Sequence, residues 1–529
     1  MLGRLARRQS LSLSWQVFPL CKRQFSMSTS TTRDLFAYTS GRFLYNEEAR
    51  LRERYVQFDP DGLRREVERH IGSSHGPVGE ITKIGEGGFN RVLLLTMHDG
   101  FEAIVKIPYH IAGPRYFATA SEAATLQFLY SQGIPVPRLY GYSPSNENPA
   151  GTEYIIMEKA AGVGLETIWL EMSKRERHKL ASGFVEIEKK FFSLPFGSTG
   201  SIYFKDDIPP KLQAPLYHEA STDSKMFCIG PTADYMFWRG KRASLDIFRG
   251  PWADPCGYLM SIAQKEIEWV RQYGKPLKLD FPHNGSTPGE VSPDEYVHLL
   301  EKFLLLAPYL LPKDLNSPLN QPTLRHPVAG HPRAFENPDL EQSPDLKEPS
   351  LPSDYEGLPV NAKAEADELY RRRLLFYYYR IFNGHLNKPH LQALRDPLLL
   401  PRQHLVDRAG RQWNGNVMTL KGALVRMVEY WPHLPDTRGI ACPVEFTDAE
   451  LDGFAEQEQM WFDLNKLVNY WRDEIGINEE GWVSNDRYED AVRKTAQLKD
   501  SLVEAAEGDE EDIRLLNEGW MFRDREEID

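Results

Sequence analysis

Cysteine is scarce in this 529-residue chain: Cys21, Cys228, Cys256 and Cys442 are the only four. No two of them form a CxxC pair, and none stands near a histidine at ligand spacing. A zinc ribbon or a disulfide framework is therefore excluded, and free thiols are the expectation. Long apolar runs are also missing. Nothing approaches the ~20 residues that a membrane-spanning helix needs, so the sequence predicts no transmembrane segment. Acid is missing from one place only. Met1 to Arg33 contains Arg4, Arg7, Arg8, Lys22, Arg23 and Arg33 and no aspartate or glutamate, whereas the remainder sets 57 basic residues against 76 acidic ones.

That asymmetry has two consequences. A basic, serine-rich, acid-free arm has the composition of a mitochondrial transit peptide. On a helix Arg4, Arg7 and Arg8 share one face, opposite Leu2, Leu5 and Leu13. Arg23 stands as the third residue back from a plausible cleavage point after Phe25, so residues 1–33 read as the targeting arm and the localisation as mitochondrial. The acidic body, in turn, offers no basic stripe with which to neutralise a phosphate backbone, which argues against nucleic acid as a partner.

Beyond the arm, residues 34–78 read as a polar helical extension in which "DPDG" marks a turn and a helix start. From Gly79 the period changes. "EITKIGEGGFNRVLLLTMHDGFEAIVKIP" reads as three short strands, joined by a glycine-rich turn and then by the hairpin signal "HDG". "ATASEAATLQFLYSQG" reads as a helix with Ala123, Leu126 and Tyr130 on one face and Gly133 as its stop. "IPVPRLYGYS" and "TEYIIMEKAAG" are further strands. Residues 79–160 thus form a small, strand-rich lobe around one helix. Helical patterns dominate residues 161–436, interrupted by a polar segment from Pro282 to Pro293 and by a proline- and acid-rich loop over 326–359. Residues 437–529 are a helical, acidic extension. Phe376 to Tyr379 read as packing residues, Trp252, Trp413 and Trp431 as core anchors, and Arg371 to Arg373 as a solvated helix face.

The chemistry starts at "IGEGGFNRV". Glycines at 85, 87 and 88 let a backbone approach phosphates closely and aim N–H groups at them. No Gly-Lys-Ser/Thr follows, so this is not a Walker loop. "AIVKIP" places Lys106 in an apolar strand, where an unpaired ammonium is costly. Glu122, on the next helix, is the available carboxylate. Glycine hairpin, strand lysine and helix glutamate, in that order, are the nucleotide-positioning parts of a protein-kinase-like fold. Met157, Glu158 and Lys159 then fall where an interlobe hinge would meet adenine.

These residues carry a resemblance. "GEGGFNRVLLLTMHDG", "AIVKIPYHIAGP", "SEAATLQFLYSQGIPVPRLYGYS", "GTEYIIMEKAAGVGL", "GPTADYMFWRG" and "LLLPRQHLVDRAGRQWNGN" resemble the aminoglycoside phosphotransferase family, and within it a mitochondrial branch named for altered inheritance of mitochondria. The likeness runs through most of Asp34 to about Pro435. It implies an α+β, bilobal kinase-like fold, with a small antiparallel-sheet lobe holding one helix and a large helical lobe, and a nucleotide, ATP, as partner.

The resemblance also implies a catalytic loop in which His-Pro is followed by an aspartate, then an asparagine five residues on, then a metal-binding aspartate in a later strand. Here "TLRHPVAGHPRAFENPDL" gives His326-Pro327 followed by Val328. "AGHPRAFENPD" looks like sequence that normally follows the metal-binding strand, so a block of roughly thirty residues is missing by this comparison. Asp339 and Asp345 have no asparagine at the right spacing, and His326 with His331 lacks a third metal ligand. Only remnants, His326 and Pro327, mark the catalytic segment. The expectation is weak ATP binding without magnesium, magnesium being used only if the missing segment is present, and no turnover, with the acceptor or protein partner undetermined. The alternative is an active ATP-dependent phosphotransferase whose catalytic exon is missing from this translated sequence.

Overall fold

In a computed structural model, which describes residues 35–219, 221–279, 289–312, 346–434 and 436–525, the chain opens with strand β1 (Arg42–Phe43) and helices α1 (Glu47–Glu53) and α2 (Pro60–Ile71). Asp59 caps α2 by accepting from the Asp61 N–H at 2.9 Å, and Pro60 sits where its missing N–H costs nothing. Residues 1–33, which the sequence reads as a targeting arm, and His326, Pro327, Val328, His331, Asp339 and Asp345 all lie outside the described residues.

Five strands follow: β2 (Val78–Glu86), β3 (Asn90–Met97), β4 (Glu102–Pro108), β5 (Leu139–Ser143) and β6 (Tyr154–Glu158). They form one antiparallel sheet in the order β2-β3-β4-β6-β5, and helix α3 (Phe117–Ser131) lies between β4 and β5 in the chain. Gly100, at φ +88°, closes the hairpin from β3 to β4. Strict alternation gives this sheet two different faces. Leu93, Leu95, Ala103, Val105 and Ile107 are fully buried against Val56, Phe58, Leu63 and Val67 of the N-terminal extension. Each of the leucine, valine and isoleucine side chains contributes about 1.5–3 kcal/mol. The opposite face carries Val92, Ile104 and Lys106, all half-buried, and looks into a cleft.

The large lobe holds helices α4 (Lys174–Phe192), α5 (Pro255–Tyr273), α6 (Pro293–Leu306), α7 (Val360–Leu386), α8 (Leu399–Ala409) and α9 (Met418–Tyr430). Trp252, Trp413 and Trp431 anchor its main core, packed among α5, α6, α8 and α9. Tyr378 and Tyr379 are buried where α7 lies along α4, and the Tyr379 hydroxyl donates to Glu188 at 2.8 Å, so Phe376 to Tyr379 are packing residues. Three sequence readings change. Helix α3 buries Ala120, Ala123, Ala124 and Phe128 while Tyr130 is exposed, because the helix is covered on two sides and only small residues allow that approach. The large lobe also contains a sheet, β7 (Ser201–Phe204), β8 (Ala214–Pro215) and β9 (Phe227–Gly230), in the order β7-β9-β8. Arg371 to Arg373 are half-buried rather than solvated, Arg371 pairing with Glu368 at 3.0 Å.

The C-terminal extension contains α10 (Phe454–Ile475), β10 (Trp482–Val483) and α11 (Tyr488–Ala505), and β10 pairs with β1. Cys228 is buried and its thiol is pushed up to about 11 by desolvation, whereas Cys256 and Cys442 are only half-buried. Among the described residues no helix is long and apolar enough to cross a membrane.

Candidate functional site

Register decides where Lys106 points. It pairs with Val92 on β3 and Ile155 on β6, which puts it on the half-buried face, away from the apolar core behind the sheet. A lysine there needs a counter-ion, and α3 supplies one: Lys106 Nζ lies 2.5 and 2.6 Å from the two Glu122 carboxylate oxygens. The lysine side chain is 20% exposed and the glutamate 40%. The pair therefore closes the inner end of the cleft without leaving solvent.

Helix α3 is held firmly enough to fix Glu122. Its first residue lacks a side-chain cap of its own. Glu153, just before β6, takes that place by accepting from Thr119 Oγ1 at 2.6 Å and from the Tyr116 N–H at 3.4 Å. Burial raises the Glu153 carboxyl above its usual range. Tyr116 adopts φ +69°, a region that costs a non-glycine residue on the order of 1–3 kcal/mol. Its hydroxyl donates to the Asp207 carbonyl at 2.7 Å, which secures the loop against the large lobe. Phe117 stacks on Trp238 with ring centroids 5.5 Å apart.

The cleft, about 180 Å³, is lined by Lys106, Glu122, Phe89, Asn90, Ile155 and Tyr235 among others. Phe89, at the tip of the glycine hairpin, meets Tyr235 of the large lobe with ring centroids 5.3 Å apart, so the hairpin roofs the cavity. None of Gly85, Gly87 and Gly88 has a positive φ. A Cβ at Gly88 would meet nothing, and at Gly85 or Gly87 only ordinary contact distance. The fold itself therefore does not demand glycine at these three positions. Met157 lies opposite Ile104 in the sheet, on the Lys106 face. Glu158 receives the Arg138 N–H at 3.0 Å, and Lys159 reaches back to Glu102 at 2.5 Å. The structure thus brings Lys106 and Glu122 together at the cavity with Phe89 and Asn90 of the hairpin over it, whereas Met157, Glu158 and Lys159 are not among the residues that line it, Glu158 and Lys159 being engaged in sheet-closing contacts. Phe89, Tyr235 and Glu153 carry no motif that marks them as site residues in the sequence. An aromatic directly after two glycines was the one available signal.

A five-stranded antiparallel sheet, a glycine hairpin and a strand lysine paired to a helix glutamate define a protein-kinase-like, bilobal protein. No family model matches the chain. It is 30% identical over 515 residues to a subtelomeric hrmA-associated cluster protein of Aspergillus fumigatus, with 85% of this chain and 97% of that protein covered. It is 24% identical over 561 residues to altered inheritance of mitochondria protein 9, mitochondrial, of Candida albicans (89% and 87% covered), and 28% identical over 262 residues to the protein of that name from Yarrowia lipolytica (45% of each). The chain belongs to the family of that Aspergillus protein, and it is similar to the proteins named altered inheritance of mitochondria protein 9. Its localisation is mitochondrial, as several of those relatives are named. Among solved structures it is similar to the aminoglycoside phosphotransferase APH(4)-Ia, at 11% identity and a TM-score of 0.21, covering 66% of this chain and 99% of that one. The fold assignment stands on the lobe's own geometry.

Proposed function

We propose that this chain is a mitochondrial kinase-like protein that holds a nucleotide weakly and does not transfer its phosphate. The observation that carries the reading is the Lys106–Glu122 pair beneath a glycine hairpin that has no structural need of its glycines. An ammonium has three donors, and Glu122 engages it from one side only. The remaining capacity, with the hairpin N–H groups, suits a polyphosphate. Magnesium is different. It needs near-octahedral oxygen coordination and borrows one or two carboxylates for it, and Val328-Ala329-Gly330 supply no side-chain oxygen where the family pattern has an aspartate. Without the metal and the acceptor-orienting aspartate, phosphoryl transfer loses most of its charge stabilisation.

One observation favours a second reading, an ATP-dependent phosphotransferase whose gene retains the catalytic block. Eighty-five per cent of this 529-residue chain is fewer residues than the 515 positions of its alignment, so the Aspergillus relative carries residues opposite gaps in this chain. Under either reading, residues 1–33 serve as the import signal and the mature chain starts near Ser26. The test is one preparation. Protein taken from mitochondria is sequenced at its N-terminus, then titrated with a fluorescent ATP analogue with and without Mg²⁺. The expected result is a start near Ser26 and weak binding that magnesium does not strengthen. Lys106→Met should weaken that binding by about 1–3 kcal/mol. Tight, magnesium-dependent binding, or a cytosolic protein beginning at Met1, would contradict the reading.

A further inference from the structure

An acidic residue in a phosphate-facing hairpin is a liability, and "GEGG" contains one. The structure turns Glu86 away from the cleft. Its side chain is 1% exposed and accepts from the Thr39 N–H at 2.8 Å, Ser40 Oγ at 2.8 Å, Lys83 Nζ at 3.0 Å and Arg91 Nε at 3.4 Å. A buried carboxylate is tolerated only with such pairing. Two of these donors come from the hairpin's own strands, and two from the N-terminal extension.

The extension is itself held from elsewhere. Asn485 Nδ2, beyond β10, donates to the Thr39 carbonyl at 2.8 Å. Arg54, 2% exposed, reaches Glu480 at 2.9 Å, and its carbonyl accepts from the fully buried Arg91 at 3.2 Å. Strand β1 pairs with β10 through Arg42–Val483 and Phe43–Trp482. At its other end the C-terminal extension grips the large lobe: Glu458 meets Arg426 at 2.9 Å, and Glu450 meets Lys302 at 2.9 Å. A continuous run of contacts therefore leads from α6 and α9, through both terminal extensions, to the back of the hairpin.

We infer that Glu86 is a positioning residue for the glycine hairpin, and that the two terminal extensions act through it as one brace setting the hairpin's height over the cleft. The inference rests on the nucleotide reading for its purpose, but not for its test. Amide exchange is followed in the full chain over the hairpin peptide, residues 84–92, with a large-lobe core peptide, residues 299–306, as control. Glu86→Gln should raise exchange in the hairpin by about tenfold, with the control unchanged. Asn485→Ala, distant in sequence and at the surface, should raise it about two- to threefold, and it serves alone should Glu86→Gln fail to fold. Exchange in the hairpin unchanged in Asn485→Ala, or raised equally in both peptides, overturns the brace. A loosened hairpin in a chain that binds no ATP analogue supports the brace and defeats only the nucleotide reading. If both stand, Asn485→Ala also weakens ATP-analogue binding while leaving the Lys106 environment intact.

Discussion

The glycine hairpin and the catalytic segment are the two halves of phosphate handling in a kinase-like fold, and this chain treats them oppositely. The small-lobe half is complete down to its supports: lysine, glutamate, a helix capped in trans by Glu153, and a hairpin tied from behind. The large-lobe half runs from His326-Pro327 straight into Val328 in sequence. Binding elements are held by packing that the rest of the fold needs anyway, since the sheet that carries Lys106 buries the N-terminal extension on its other face. Catalytic carboxylates on a loop have no such second duty, and their loss need not unfold anything.

That contrast predicts a stable large lobe despite the altered segment, and it can be broken there. In the core of the large lobe, Arg242 reaches Glu266 at 2.9 Å, and Lys265 shares the same carboxylate, all three no more than 2% exposed. Desolvation lowers the Lys265 ammonium, and only the nearby carboxylates hold it up. Arg242→Ala leaves Glu266 half-paired in the core and should cost about 3–5 kcal/mol in a denaturant titration. A loss below about 1 kcal/mol would mean that the lobe is looser than this packing implies.

A smaller effect sharpens the other side. The Thr447 backbone N–H, helped by Lys302, holds the Glu450 carboxyl down to about 2, against 4.5 for the free side chain. A depressed carboxylate stabilises the fold fully above about 4.5, and that contribution disappears as pH falls through about 2. The side chain is 33% exposed, so screening trims the value. Glu450→Gln should cost about 1 kcal/mol at pH 7 and nothing measurable near pH 2, read from urea midpoints at the two pH values.

Much of the fold was legible because its signals were local. Alternation through Asn90–Met97 and Glu102–Pro108 and the glycines at 85, 87 and 88 give the sheet, and "SEAATLQFL" gives the helix bearing Glu122. What stayed hidden depends on distant packing. The strands of β7, β8 and β9 are four, two and four residues long, too short for alternation to register. Tyr130 reads as a core residue until the alanines are seen to admit a second layer over α3. The role of Glu86 depends on Thr39 and Ser40, which arrive from 46 or more residues away. Lys83 and Arg91 on either side were the local hint.

On the proposed reading, the altered segment, rather than the remainder of the chain, is what prevents phosphoryl transfer. The direct measurement is ATP consumption with and without Mg²⁺, by this chain and by a version carrying the catalytic block restored from the uninterrupted gene. The expected result is no turnover by the first and magnesium-dependent turnover by the second. Magnesium-dependent turnover by the unrestored chain would contradict it.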